Sequence, residues 1–378
     1  HIKEQIINMN PLKFTCSKDD ICAAISNVSK AVSPKSTIPA LEGIDLKLNM
    51  NSLELTGYDL EIGITTFIEC QSEDAGEVVL NTRLFSEITR RMPSDSITYE
   101  IDENLNMKIY GGNAQYQISA ISADEYPALP DIERENPISV NQETLKSMIN
   151  QTNYAVSLND AKPILTGELF DIDETGFNMV AIDGFRLAVR HEKLAGDYRH
   201  HFVVPSKALL EASRLLKEDA ENDCEIYVNT KHILFDINGY RIFTRLLEGE
   251  YHNYRSSIPK EYKTEVFVNT REIVHCLERC SLLLNEKNKA PIKCSFEDGE
   301  IKISCRTGIG KFEDSIPAEV SGDPVLIGFN NKYLLDALRA ADTDKVKIQM
   351  NGANRAVKII PPEGDSFDFI VMPVQIKG

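Results

Sequence analysis

Phe14-Thr15-Cys16, Ile138-Ser139-Val140 and Val266-Phe267-Val268 each lead into a helix-patterned stretch, and the three stretches align without a gap. Ile21, Leu145 and Ile273 share one position; Ile25, Ile149 and Leu277 the next; Val28, Thr152 and Cys280 the third; Val32, Val156 and Leu284 the last. A repeat of about 125 residues is the size of a whole domain and far exceeds a solenoid unit. The sequence therefore predicts three copies of one fold, at residues 11–130, 137–259 and 263–378. Function is expected to come from how similar blocks are arranged, not from one catalytic cleft.

Each copy carries a second strand-helix unit, opened by Val78–Arg83, Phe202–Lys207 and Leu326–Lys332. Asn, Ser or Pro stands where a helix would be capped or begun. Helical spacing follows at Phe85, Ile88 and Met92, at Leu209, Ala212 and Leu216, and at Leu334, Ala337 and Ala341. Alternating runs come next: Ile97–Ile101, Glu225–Val228 and Lys345–Ile348. Gly111-Gly112-Asn113 and Asn238-Gly239 read as hairpin turns. The expected architecture is α+β, with two helices packed on two antiparallel sheets in each copy. Asp131–Asn136 and Lys260–Thr264 are polar enough to be linkers.

Composition fits a water-exposed globular chain, with 42% hydrophobic and 26% charged residues. No apolar run approaches the roughly 20 residues of a membrane span, and no signal-peptide pattern is visible. The opening His1 to Asn10 lacks a start Met and is set aside as an extension. Eight cysteines are scattered with no CxxC pair, which points to a reducing cytoplasm.

The net charge of −17 argues at first against nucleic acid. Its distribution changes that reading. The six predicted helices, 17–30, 81–91, 141–156, 205–217, 269–284 and 330–341, carry 0, +2, 0, +2, 0 and +1. Together they hold +5, which leaves −22 on the rest of the chain. Helix propensity of Lys and Arg accounts for part of this bias. Recurrence at Arg83, Lys207 and Lys332 indicates a shared basic surface as well.

No enzyme constellation emerges, and no catalytic residue, metal or cofactor is expected. Gly308-Ile309-Gly310-Lys311 lacks the spacing and the Ser or Thr of a phosphate-binding loop. Cys276 and Cys280 align with core positions, which makes them buried thiols sooner than zinc ligands beside His275. His200-His201 has no metal-spaced companion. The many acidic pairs, such as Asp19-Asp20, read as solvated surface.

Ala181–Val189 (AIDGFRLAV), the ending Val371-Met372-Pro373-Val374 and Asp124-Glu125-Tyr126-Pro127 resemble the bacterial DNA polymerase III β subunit family, the sliding clamps. The match runs from about Leu12 to the C-terminus. The resemblance implies a head-to-tail homodimer of two three-domain crescents, closing a six-domain ring with helices inside. Such a ring encircles double-stranded DNA without reading sequence. It also tethers the catalytic subunit of DNA polymerase III, the clamp loader, and other polymerases and repair proteins through short peptides.

Three sites follow from the resemblance. The partner-peptide pocket falls on Leu165, Ile182, Gly184, Phe185, Arg186, Leu187, Asn330, Tyr333, Val371, Met372, Pro373 and Val374. Leu187 reads equally as core filling, and Val371 also fits a core. His252 stands where many relatives carry Pro after the rim aromatic, so peptide preference is expected to differ. DNA contacts fall on Lys35, Asn159 and Lys207, with Arg83, Arg214 and Lys332 added by the charge distribution. The dimer seam falls on Leu282 and Leu283 in one subunit and on Tyr116 and Ile118 in the other. Two further classes stay open: a three-domain α+β enzyme with sites at domain junctions, and a peptide-binding scaffold that never meets DNA.

Overall fold

The computed structural model describes residues 10–376. The N-terminal extension set aside above, apart from Asn10, lies outside the described residues. The first repeat contains β1 (Leu12–Ser17), α1 (Lys18–Val28), β2 (Gly43–Asn49), β3 (Ser52–Tyr58), β4 (Ile62–Glu69), β5 (Ala75–Asn81), α2 (Thr82–Arg91), β6 (Ser96–Ile101), β7 (Asn106–Gly111) and β8 (Ala114–Ser119). The second contains β9 (Ile138–Val140), α3 (Gln142–Thr152), β10 (Gly167–Asp173), β11 (Gly176–Ile182), β12 (Arg186–Glu192), β13 (His200–Pro205), α4 (Ser206–Leu215), β14 (Cys224–Val228), β15 (His232–Ile237) and β16 (Tyr240–Arg245). The third contains β17 (Thr264–Asn269), α5 (Thr270–Ser281), β18 (Ile292–Glu297), β19 (Glu300–Thr307), β20 (Gly310–Pro317), β21 (Glu319–Gly322), β22 (Val325–Phe329), α6 (Asn331–Ala340), β23 (Lys345–Met350), β24 (Val357–Ile360) and β25 (Phe367–Val371).

The expected helices form, and side chains cap them. Ser17 accepts from the Asp20 amide, Asn81 from Leu84, Asn269 from Glu272 and Asn330 from Tyr333. Each cap satisfies one of the amides that an α-helix leaves without a partner in its first turn. The expected hairpin turns form too. Asn238 and Gly239 both adopt positive φ between β15 and β16, as a two-residue turn requires.

The described residues divide into two compact units, 10–142 with 214–245, and 143–213 with 246–376. The first holds a four-stranded sheet, β1-β6-β7-β8, and an eight-stranded sheet, β5-β2-β3-β4-β16-β15-β14-β9. The second holds a nine-stranded sheet, β13-β10-β11-β12-β25-β24-β23-β17-β21, and a four-stranded sheet, β20-β19-β18-β22. The two long sheets each join strands of neighbouring repeats. In the first unit β4 pairs antiparallel with β16, Ile64 opposite Ile242. In the second β12 pairs antiparallel with β25, Ala188 opposite Phe369.

Apolar packing explains why the units hold. In the first, Phe14 stacks on Tyr99 at 4.8 Å, and Phe85 meets the same ring edge-on. In the second, α5 and α6 bury Ile273, Cys276, Leu277, Cys280, Leu334 and Leu338 with strand residues such as Phe296, Ile303 and Phe329. Cys276 and Cys280 are thus core residues. All eight cysteines are free thiols. Among the described residues no helix is long and apolar enough to cross a membrane.

Candidate functional site

The turn between β11 and β12 builds the centre of the site. Asp183 Oδ1 accepts from the amides of Phe185 (2.9 Å) and Arg186 (3.0 Å), and Gly184 takes φ 91°, where a side chain would be strained. The turn projects Phe185 outward, 60% exposed, with its ring stacked on Tyr333 at 6.0 Å. Asn330 caps α6 and so fixes Tyr333 from below. Arg186 lies buried behind the two rings. Its Nε donates to Asp183 Oδ2 at 2.9 Å and its Nη1 to Asp336 Oδ2 at 2.7 Å. The guanidinium also sits 4.5 Å from the Tyr333 ring centre and 5.5 Å from that of Tyr154. A desolvated cation with two carboxylates and two aromatic faces is a rigid support, not a mobile contact.

The C-terminal tail closes one side. The Met372 amide donates to the Phe185 carbonyl (2.9 Å) and the Val374 amide to the Gly328 carbonyl (2.8 Å). Met372 and Val374 therefore present their side chains outward, 42% and 37% exposed, with Pro373 half-buried between them. Val371 is fully buried in β25 and acts as core. Leu187 is also buried, packed with Leu169, Val180, Val189, Val203 and Ile370. It forms the floor, while Leu165 and Ile182 remain partly open at the rim. Tyr251, Tyr254 and Ile258 of the segment after β16 cover the rest of that apolar face. His252, on the same segment, is exposed and bonds Ser257 Oγ at 2.9 Å. Beyond the Phe185–Tyr333 stack, Asn330, Tyr333 and Val374 border a groove of about 970 Å³ that also runs past Ser281, Asn285 and Asn288–Pro291.

The twelve expected pocket residues thus divide into an apolar floor and rim (Leu165, Ile182, Leu187), a buried support (Arg186, Val371), and an exposed aromatic and tail face. Asp183, Asp336 and Tyr154 were missed. An acidic residue on a helix gives no signal until the fold brings it, 150 positions along the chain, to Arg186.

Lys35, Asn159, Lys207, Arg83, Arg214 and Lys332 are all exposed. Arg83, Lys207 and Lys332 occupy the same place, the second residue after the capping position of the second helix in each repeat. Cations in a first turn oppose the helix dipole, so local helix stability does not explain them. Lys332 Nζ pairs with Asp336 at 2.6 Å, which links it to the Arg186 network.

Of the seam residues, Leu282 is 81% exposed at the end of α5, and Leu283 is half-buried against the third repeat's core, beside Gly310 of β20. Tyr116 is 42% exposed and Ile118 half-buried, on one face of β8. β8 and β20 are both edge strands. His201, read as lacking an acidic companion in sequence, lies 3.3 Å from Asp171 Oδ1.

The chain matches the family models for the DNA polymerase III beta subunit N-terminal domain over residues 12–130, the central domain over 139–253 and the C-terminal domain over 255–375. It is 34% identical to the beta sliding clamp of Bacillus subtilis, across 96% of this chain and all of that one. The crystal structure of the Bacillus subtilis DNA polymerase sliding clamp superposes with a TM-score of 0.93 at 33% identity, covering 97% of this chain and 100% of the other. A sliding clamp from Pseudomonas aeruginosa bound to griselimycin superposes with a TM-score of 0.89 at 25% identity, covering 97% and 100%. Three tandem clamp domains, matched along nearly the whole sequence, make this chain a member of the bacterial DNA polymerase III β-subunit family, the non-catalytic sliding clamps of replication.

Proposed function

We propose that this chain closes head to tail with a second copy into a ring around duplex DNA, in the cytoplasm. There it tethers the replicative polymerase, the clamp loader and repair partners through peptides bound at the Phe185–Tyr333 pocket. Residues 11–130, 137–259 and 263–378 serve as the three clamp domains.

One observation carries the ring. Tyr58 opposite Gly63, Ile182 opposite Leu187 and Arg306 opposite Lys311 mark equivalent turns, so Ile64, Ala188 and Phe312 are equivalent residues. The strands after β7 and β15 make Tyr116 equivalent to Ile242, and both precede by five residues a β-bridge that Val374 repeats five after Phe369. Both junctions within the chain therefore share one antiparallel register, Ile64 on Ile242 and Ala188 on Phe369. The same rule applied once more pairs Phe312 of β20 with Tyr116 of β8 in a second copy. Two unpaired edges are thereby consumed, which removes the liability that exposed strands carry. Half-exposed Phe312 and Tyr116 would cover each other, with Leu283 and Ile118 alongside.

For DNA, Arg83, Lys207 and Lys332 at equivalent helix starts, with Lys35, Asn159 and Arg214, supply a mild positive lining within an acidic chain. Such a lining meets phosphates without base readout, so topology replaces affinity. For partners, exposed Phe185, Met372 and Val374 beside the apolar floor suit a short peptide anchored by Leu or Phe. We extend griselimycin binding to this chain and assign it to the Phe185–Tyr333 pocket.

The test is topological. The protein should remain on nicked circular DNA through gel filtration and be lost once a single restriction cut makes that DNA linear. Equal retention on both forms contradicts encirclement.

A further inference from the structure

The segment that follows the last strand of the first repeat shows what the pocket looks like when the chain itself fills it. Tyr126 donates its hydroxyl to the Thr56 carbonyl at 3.1 Å. Three residues on, Leu129 lies on Gly63, where a Cβ would come within 2.5 Å of Leu129 Cδ2. Leu41, Tyr58 and Phe243 surround it. By the strand equivalences above, these four positions correspond to Leu187, Leu165, Ile182 and Ile370. The first repeat therefore covers its own version of the pocket floor with a leucine.

The second repeat begins the same way. Tyr251 donates to the carbonyl of Val180, the equivalent of Thr56, at 3.2 Å. It then diverges. Three residues on, the Tyr254 hydroxyl donates to Asp171 Oδ2 at 2.6 Å, and Arg255 Nη1 reaches the same oxygen at 2.8 Å. Arg255 Nη2 lies 3.7 Å from Asp173, and His201 Nδ1 lies 3.3 Å from Asp171 Oδ1. Asp171 sits on β10, two strands away from β12, or about 9.5 Å at ordinary strand spacing. Its equivalent in the first repeat is Lys47, which offers no acceptor.

We propose that Asp171 is a latch: by holding Tyr254 and Arg255 over β10, it keeps the covering segment off β12 and so keeps the peptide pocket open. Asp171 lies on β10, away from the β12 floor, and acts as a positioning residue. The inference rests on the peptide-pocket reading. Leu187 itself fills the space that Leu129 takes over Gly63, so without the latch the Tyr254 ring, already packed in the same apolar cluster, is free to slide over the Leu187 floor, and a ligand must displace it.

Calorimetric titration of the full chain with griselimycin tests this. If the pocket is open a tenth of the time without the latch, Asp171→Ala weakens binding about tenfold. Asp171→Asn keeps an oxygen for the Tyr254 hydroxyl but loses the charge facing Arg255, and should fall between Ala and wild type. The deciding variant is Asp171→Ala with Tyr254→Ala: removing the obstructing ring should restore affinity to that of Tyr254→Ala alone. Unchanged affinity across the Asp171 series overturns the latch. So does a double variant as weak as Asp171→Ala, which would make Tyr254 a wall of the pocket. Full affinity after truncation behind Val371 would instead overturn the pocket reading itself.

Discussion

Glu168 offers a quantitative test of how the second repeat is built. It is fully buried on β10, at the position that Ile44 and Ile292 occupy in the other repeats. Its Oε2 lies 2.5 Å from Thr152 Oγ1 and its Oε1 accepts from Asn153 Nδ2 at 2.6 Å. Thr152 Oγ1 is also 2.7 Å from the Met148 carbonyl, and one hydroxyl hydrogen cannot serve both. Thr152 Oγ1 donates to Glu168 Oε2 while the carboxyl is ionised; the protonated acid can donate in its turn and free the threonine hydrogen for Met148. Burial pushes the Glu168 pKa from 4.5 to about 8, against the opposing pull of Thr152 and Asn153. The folded state then holds the proton more tightly than the unfolded chain. Stability is complete below pH 4.5 and falls as pH rises toward 8, by about 1.4 kcal/mol per unit. Glu168→Gln keeps both hydrogen bonds, with its amide donating to Thr152, and has no proton to lose. Urea unfolding of both proteins at several pH values isolates this residue, because other titrations cancel in the difference. The advantage of Gln should grow by about 3 kcal/mol between pH 5 and pH 7. A difference that does not change with pH would refute the protonated acid.

Three further outcomes follow from the same structure. Leu282→Asp with Leu283→Asp should convert a dimer of about twice the 42.4 kDa chain mass into monomers with unchanged circular dichroism, measured by light scattering. Deletion from Met372 onward should abolish griselimycin binding and leave the dimer intact, because Val371 and β25 remain; undiminished binding contradicts the pocket assignment. Lys35→Ala, Arg83→Ala and Lys207→Ala should each lower the slope of log affinity for DNA against log salt by about one, without any change in sequence preference.

The helices and their caps were legible because they depend on local chemistry. Asn81, Asn269 and Asn330 stand before apolar residues at helical spacing, and the helices begin there. The threefold repeat was legible because each copy must bury the same helix face. Sheet pairing across repeats was not: nothing in the composition of β4 and β16 specifies that they meet. β21 was missed because Glu319–Gly322 is polar at an edge and lacks alternation. Thr264, assigned to a linker, opens β17, where its hydroxyl bonds the Asp323 carbonyl. Both readings of Leu187 and Val371 were open in sequence; both residues are buried, Leu187 in the apolar cluster beneath the pocket and Val371 in β25. Arg186 was identified, but not its support, since Asp336 and Tyr154 reach it only through tertiary packing. The latch at Asp171 joins groups 83 positions apart and was invisible for the same reason.

Closing the inferred seam covalently gives the most direct test of encirclement. In the register Phe312 opposite Tyr116, Lys311 faces Gln117 of the second copy, and both are exposed. Lys311→Cys with Gln117→Cys, oxidised after loading onto nicked circular DNA, should leave a protein–DNA link that survives sodium dodecyl sulfate. The link should vanish when the circle is cut or the disulfides are reduced. Failure of the disulfides to form, or equal detergent resistance on linear DNA, would contradict a ring threaded by the double helix.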